Sequence, residues 1–171
     1  TTPSAPAIVG GTASGSDGTL DVAFTAPTDD GGASITTYQY STDAGATWRD
    51  RATGTTASPL TITTLSTNGT TALTGGTVYP VEIRAVNAAG PGAASAVASG
   101  ITTTVPDAPT ITSTTPIDGS ATVQFTRPAN GGAEIIRYEY RIGSGSWTDT
   151  GTLADSFVIT GLTNGSADTL Q

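Results

Sequence analysis

Three kinds of residue in this 171-residue chain have the types from which chemistry is built. Carboxylates come first: Asp29 and Asp30 are adjacent, and Glu134 and Glu139 lie close together further on. Paired carboxylates can share acid and base work on a glycosidic bond, and aspartates with backbone carbonyls can hold Ca²⁺. Second are Trp48, followed at once by Arg49-Asp50-Arg51, and Trp147. An exposed indole stacks on a sugar ring or anchors a protein partner. Third are the glycine pairs Gly31-Gly32 and Gly75-Gly76, which could cradle a phosphate only between a strand and a helix.

Missing residue types narrow these choices. The chain has no His and no Cys, and all six of its basic residues are Arg. Most nucleophile–base pairs are thereby excluded, together with the side chain that most readily carries a proton near neutral pH. Asp29-Asp30 lacks the alternating D-x-D-x-D-G spacing of a calcium loop, and Asp and Gly are ordinary turn formers. Glu134 and Glu139 read as solvated acids, and the glycine pairs read as turns. No catalytic residue, cofactor or metal site is expected. The candidates that remain are Trp48, Trp147, Arg49 and Arg51, as contacts to a protein partner or a surface glycan. Against this stands the simpler reading that each Trp covers the edge of its own core and that Arg49-Asp50-Arg51 is a surface charge cluster. Asn68-Gly69-Thr70 and Asn164-Gly165-Ser166 match a glycosylation pattern, but Asn-Gly is also a favoured tight-turn pair, and the turn reading is preferred.

Fourteen acids against six scattered bases give a net charge of −8, which disfavours nucleic acid and anionic membrane surfaces as partners. Charged residues make up only 12%. Thr takes their place on the surface, being β-branched yet able to face water. No apolar run approaches the roughly 20 residues that cross a bilayer, so no membrane insertion is expected in this segment, and no signal peptide is legible.

The elements that position the candidates are set by an internal repeat. Residues 17–27, DGTLDVAFTAP, match 118–128, DGSATVQFTRP; residues 31–41, GGASITTYQYS, match 131–141, GGAEIIRYEYR. The openings Pro3 to Ile8 and Pro106 to Ile111 also align, and Trp48 and Trp147 follow at nearly equal distances. Within each copy Leu20, Val22 and Phe24, or Val123 and Phe125, alternate with other residues as in a half-buried strand. Tyr38 and Tyr40, repeated at Tyr138 and Tyr140, share one face. Further strands are expected at Leu60 to Leu65, Val78 to Val86 and Ala94 to Ile101. Breakers stand between them at Pro27, Gly31-Gly32, Asn68-Gly69, Gly75-Gly76 and Gly90-Pro91-Gly92. The class is all-β with short strands and regular turns, hence a sandwich.

The order P-x-AP, DG-x-L-x-V-x-F-x-x-P, GGA-x-I-x-x-Y-x-Y and G-x-T-W resembles the bacterial fibronectin type III repeat. The run Leu73 to Gly92, LTGGTVYPVEIRAVNAAGPG, is the most specific part of that likeness. The resemblance covers essentially the whole chain. It implies two tandem immunoglobulin-like β-sandwiches, residues 1–104 and 105–171, with a tyrosine corner at Tyr79. Phe24 and Phe125 stand where the family usually has Trp, and Asp168 stands where the second corner Tyr belongs.

The first copy runs about twenty residues past Glu82 and the second stops three past Asp168, so the second sandwich is expected to lack its last two strands. With no Met, the chain reads as a processed or excised piece of something longer; the alternative is strand complementation by a neighbouring subunit. Thr102-Thr103-Thr104-Val105-Pro106 reads as a short, semi-rigid linker. The function these features suggest is a non-catalytic extracellular spacer or adhesion module of a bacterial surface protein or filament. Its alternatives are an accessory module of a secreted polysaccharide-degrading enzyme and a phage virion decoration or tail appendage.

Overall fold

The computed structural model describes residues 1–9, 12–13, 18–52 and 54–171, with only the backbone at 12–13. Asp17, which opens the first DG motif, lies outside the described residues. The chain divides into two compact units, Thr1–Val105 and Pro106–Gln171, and among the described residues the regular elements of both are strands.

The first unit forms β1 (Ala7–Ile8), β2 (Thr12–Ala13), β3 (Leu20–Val22), β4 (Phe24–Thr25), β5 (Thr37–Ser41), β6 (Arg49–Asp50), β7 (Leu60–Ile62), β8 (Val78–Asn87), β9 (Gly90–Ala94) and β10 (Ala98–Ile101). One layer pairs β1 with β4 and β3 with β7. The other runs β2-β10-β8-β5-β6, with β9 also against β8. All these pairings are antiparallel except β2 with β10.

Alternation explains the layering. Leu20 and Val22 oppose Ile62 and Leu60 across β3 and β7, and all four are buried. Their neighbours Asp21 and Thr61 face water and bond to each other, Thr61 Oγ1 donating to Asp21 Oδ1 at 2.5 Å. From the facing layer Tyr38 and Tyr40 of β5 and Val81, Ile83 and Ala85 of β8 complete the core. Phe24 lies with its ring centroid 4.5 Å from that of Tyr38, so Phe serves the position where the resembling family carries Trp. Truncating any one of these large side chains costs about 2–5 kcal/mol.

Ser95 interrupts the strand expected over Ala94 to Ile101. Its amide donates to the Ile83 carbonyl and its Oγ accepts from the Ile83 amide. The side chain thus replaces a ladder partner, and the run splits into β9 and β10.

Both ends of the first unit are tied in. Asn87 at the end of β8 donates through Nδ2 to the carbonyls of Thr1 (2.8 Å) and Asp30 (2.7 Å). Ser4 N donates to Asp29 O, and Ala93 N donates to Pro3 O. This N-terminal strap demands glycine beneath it: a β-carbon on Gly92 would overlap the Pro3 carbonyl, and one on Gly31, where φ is 76°, would overlap that of Thr1. At the other end Thr102, read from sequence as linker, is fully buried and belongs to the first unit. Its Oγ1 donates to Thr74 O at 2.5 Å and accepts from Thr77 N at 3.2 Å. The corner implied at Tyr79 is present, its hydroxyl accepting from Thr74 N at 2.8 Å.

The second unit forms β11 (Thr110–Ile117), β12 (Ser120–Thr126), β13 (Glu139–Tyr140), β14 (Thr148–Asp149) and β15 (Ser156–Thr160). β11, β12 and β15 make one sheet and β13 with β14 the other. Val123, Phe125, Tyr138 and Ile159 are buried, and the Phe125–Tyr138 centroid distance of 4.8 Å repeats the Phe24–Tyr38 contact. No described residue of this unit takes the place that Ile83 to Ile101 hold in the first.

Gly92→Ala is expected to dislodge the strap while leaving the opposite sheet paired. Hydrogen exchange checks this: Ser4 and Ala93 amides lose protection and the ladder between β3 and β7 keeps it. Equal loss everywhere would mean the strap is not a separate element.

Candidate functional site

Trp48 is set by the turn that joins β5 to β6. Ser41 Oγ donates to Asp43 Oδ1 at 2.7 Å and accepts from Gly45 N at 2.8 Å. The Asp43 carboxylate accepts from Thr47 N and from Thr47 Oγ1. Thr47 Oγ1 in turn reaches Ser66 Oγ, which also meets the amide and hydroxyl of buried Thr42. Burial acts to raise the Asp43 pKa, but the donors Ser41 and Thr47 outweigh it and hold the carboxyl below the usual carboxylate range. The turn thus presents Trp48 in a fixed place, its Nε1 donating to Gly45 O at 3.0 Å.

One face of the indole is covered. The Arg84 guanidinium lies 4.2 Å from the ring centroid, a contact worth about 0.5–2 kcal/mol. Arg84 Nε donates to Gln39 Oε1 at 2.8 Å, and Gln39 Nε2 donates to Asp50 Oδ1 at 2.9 Å. Burial works against the Arg84 charge and Asp50 favours it. Asp50, in the middle of the Arg49-Asp50-Arg51 run, is therefore the outer end of a relay that seats a cation on Trp48.

The two arginines of that run part company. Arg49 is half-buried beside the Asn68-Gly69 turn, its Nε 3.5 Å from Ser66 O. Arg51, expected in a surface charge cluster, is only 8% exposed. The loop between β6 and β7 folds back over it: Nη1 donates to Ala57 O at 2.9 Å and Nη2 to Pro59 O at 3.1 Å. Its Nε has no partner among the described residues. Burial lowers its pKa, with Tyr38 opposing, while burial raises that of Tyr38. Arg51 is a clamp under a loop.

Trp147 differs from its counterpart. It is 53% exposed, with the Arg141 guanidinium 4.7 Å from its ring centroid. It borders a cleft of about 480 Å³ in the second unit.

The acids are engaged locally. Asp29 and Asp30 accept from the amides of Gly31 and Gly32, each at 2.8 Å, and Glu139 pairs with Arg137 at 3.1 Å. Among the described residues no three His, Cys, Asp or Glu converge as a metal would need. Asn68 spends its side chain inside its turn, Oδ1 accepting from Thr70 N and Thr71 N and Nδ2 donating to Thr71 Oγ1. Asn164 caps a neighbouring turn, accepting from Gly119 N and donating to Asp118.

The facing layers, the order of strands within them and the corner at Tyr79 define an all-β, fibronectin-type-III-like sandwich. No family model and no curated protein matches the chain. Among solved structures it is similar to one described as titin kinase and its flanking domains, at 17% identity and a TM-score of 0.42 over 74% of this chain and 27% of that one. It is also similar to the FN1-FN3 domains of chicken CNTN1, at 16% identity and a TM-score of 0.42 over 94% of this chain and 55% of that one. The chain therefore spans about a quarter and about half of those two structures.

Two outcomes are expected in denaturant titrations. Arg51→Ala leaves two carbonyls without their donor and should cost about 2–4 kcal/mol, whereas Arg49→Ala should stay within about 1 kcal/mol; equal effects would refute the clamp. Because the folded Asp43 pKa is depressed, its contribution is present above the unfolded value near pH 4 and fades as pH falls through the lower folded value. Asp43→Asn should flatten that acid limb, and an unchanged limb would remove Asp43 from the account.

Proposed function

We propose that the chain is a non-catalytic structural module, an extracellular spacer or adhesion segment of a surface protein or filament whose partners are neighbouring modules or subunits. The observation that carries this reading is where the first unit is entered and left. Thr1 is bonded to Asn87, at one end of β8, and Thr102 is bonded to Thr77, next to the other end. Ten residues of β8 separate those anchors, which at strand rise is about 30 Å. A chain that enters one end of a sandwich and leaves by the other gains the length of that unit.

The use of the polar residues agrees with this. In the first unit Asp43, Arg51, Asp29, Asp30 and Trp48 are all bound into turns, loops and edges. None is held in a cleft with a partner of complementary acid–base character, as a general acid or base would be. Among the described residues no helix is long and apolar enough to cross a membrane.

Pulling the chain from its two ends should give a discrete rupture of the first unit, lengthening the tether by on the order of 30 nm, the extent of its unfolded residues. Asn87→Ala should lower the rupture force. A smooth extension with no rupture, or turnover of a polysaccharide by the purified chain, would sink the proposal.

A further inference from the structure

We infer that the first unit carries a binding cleft for a neutral glycan, on the open side of the sandwich between β6 and β7. β6 pairs with β5 and β7 with β3, and among the described residues neither has a strand on its other edge. Between those edges lies a cleft of about 450 Å³, walled by Gln39, Trp48, Arg49 and Asp50 from one layer and by Thr61 and Thr63 from the other. That volume suits a small ligand, for which roughly 300–1,000 Å³ is usual. Successive strand residues send their side chains to opposite faces. Arg49 and Asp50 both reach the cleft because it opens at the edge of their strand.

The groups that line it are positioned but not spent. Asp50 Oδ1 accepts from Gln39 Nε2 at 2.9 Å, and Gln39 is held in turn by Arg84. Arg49 Nε is 3.5 Å from Ser66 O, while its two Nη groups donate to no described residue. No ion pair joins Arg49 to Asp50 among the described residues. Trp48 Nε1 is already bonded to Gly45 O, so what the indole brings to the cleft is apolar surface. Against the Arg49 head lies Gly69, where φ is 67°, and a β-carbon there would overlap the guanidinium. Glycine thus leaves the space in which the cation is seated.

The second unit shows that the strand pair does not require this cation. Tyr40 pairs with Arg49, and the equivalent Tyr140 pairs with Thr148. Trp147 and Asp149 keep their places on either side of that Thr.

The charges select the ligand. An anion would meet Asp50 and a chain of net charge −8, which repels it at a distance as well. A cation would meet Arg49, and an apolar segment would leave both charges covered and unpaired. A pyranose ring satisfies every wall. Its hydroxyls donate to the carboxylate and accept from the guanidinium at once, and its C–H face lies on the indole. Binding makes and breaks no covalent bond. The inference goes beyond the spacer role and does not rest on it, since the titration below can fail while the rupture of the first unit stands.

The test uses the 171-residue chain carrying Trp147→Phe, so that emission reports Trp48. It is titrated with the neutral oligosaccharides cellohexaose, maltohexaose and xylohexaose. At least one should shift the Trp48 emission to saturation and move the Gly69 amide resonance with it. Arg49→Thr, the residue the second unit carries there, should weaken that binding about tenfold or more while the denaturation midpoint stays close to the parent's. Asp50→Asn should weaken it as well. No response to any of the sugars at tens of millimolar would overturn the inference, as would binding that survives both substitutions undiminished. A stronger response to polygalacturonate would make the cleft a site for acidic ligands and overturn it too.

Discussion

Val81, Ile83 and Ala85 point from β8 into the first core while the backbone of the same strand pairs with β5, β9 and β10. The core of that unit and the strands beside β8 depend on this arrangement. β5 is held at Tyr38 and Tyr40 because Ala85 and Ile83 lie opposite them, and β7 and β3 have a surface to pack on because those side chains fill the space between layers. The outward residues of β8 work too: Arg84 seats on Trp48 and fixes the edge around β6. Burial of such side chains is worth about 1.5–3 kcal/mol each, so the strand contributes more than any single hydrogen bond around it.

Hydroxyl groups do the fastening that charges perform in many proteins. Ser41, Thr42, Thr47 and Ser66 form one connected set around Asp43, and Thr102 and Ser95 close backbone gaps elsewhere. Several of these residues are buried. Because each is bonded, burial carries little penalty; the same groups left unpaired would cost about 1–3 kcal/mol each. A low content of charged residues is consistent with this economy, since short hydroxyl side chains lose less freedom on ordering than Lys or Arg.

Much of the fold was legible because a strand's period of two writes itself into sequence. Leu20, Val22, Tyr38 and Tyr40 announced their faces, and the likeness of the run Leu73 to Gly92 to the fibronectin type III repeat implied the corner at Tyr79. The break at Ser95 was not legible, because nothing in the local pattern tells that its hydroxyl will take the Ile83 amide. Arg51 was misread for a related reason: whether an arginine faces water or lies under a loop depends on carbonyls at Ala57 and Pro59, which no spacing rule pairs with it. The network of Thr42, Thr47 and Ser66 joins residues far apart in the chain and leaves only a general richness in Ser and Thr as its trace. For the candidate site, sequence supplied Trp48 and Trp147 as equivalents but not their different surroundings, since Arg84 reaches the first from β8 and Arg141 reaches the second from the residue that follows β13.

The anchoring of Thr1 to Asn87 and of Thr102 to Thr77 has a mechanical consequence. Tension applied to the two ends of the first unit would run along β8 rather than across it. Antiparallel ladder bonds stand perpendicular to their strands, so this tension would load them in shear, many at once, and not peel them apart singly. Resistance would then rise with the number of bonds flanking β8, and its neighbours on both sides, β5 with β9 and β10, would yield together.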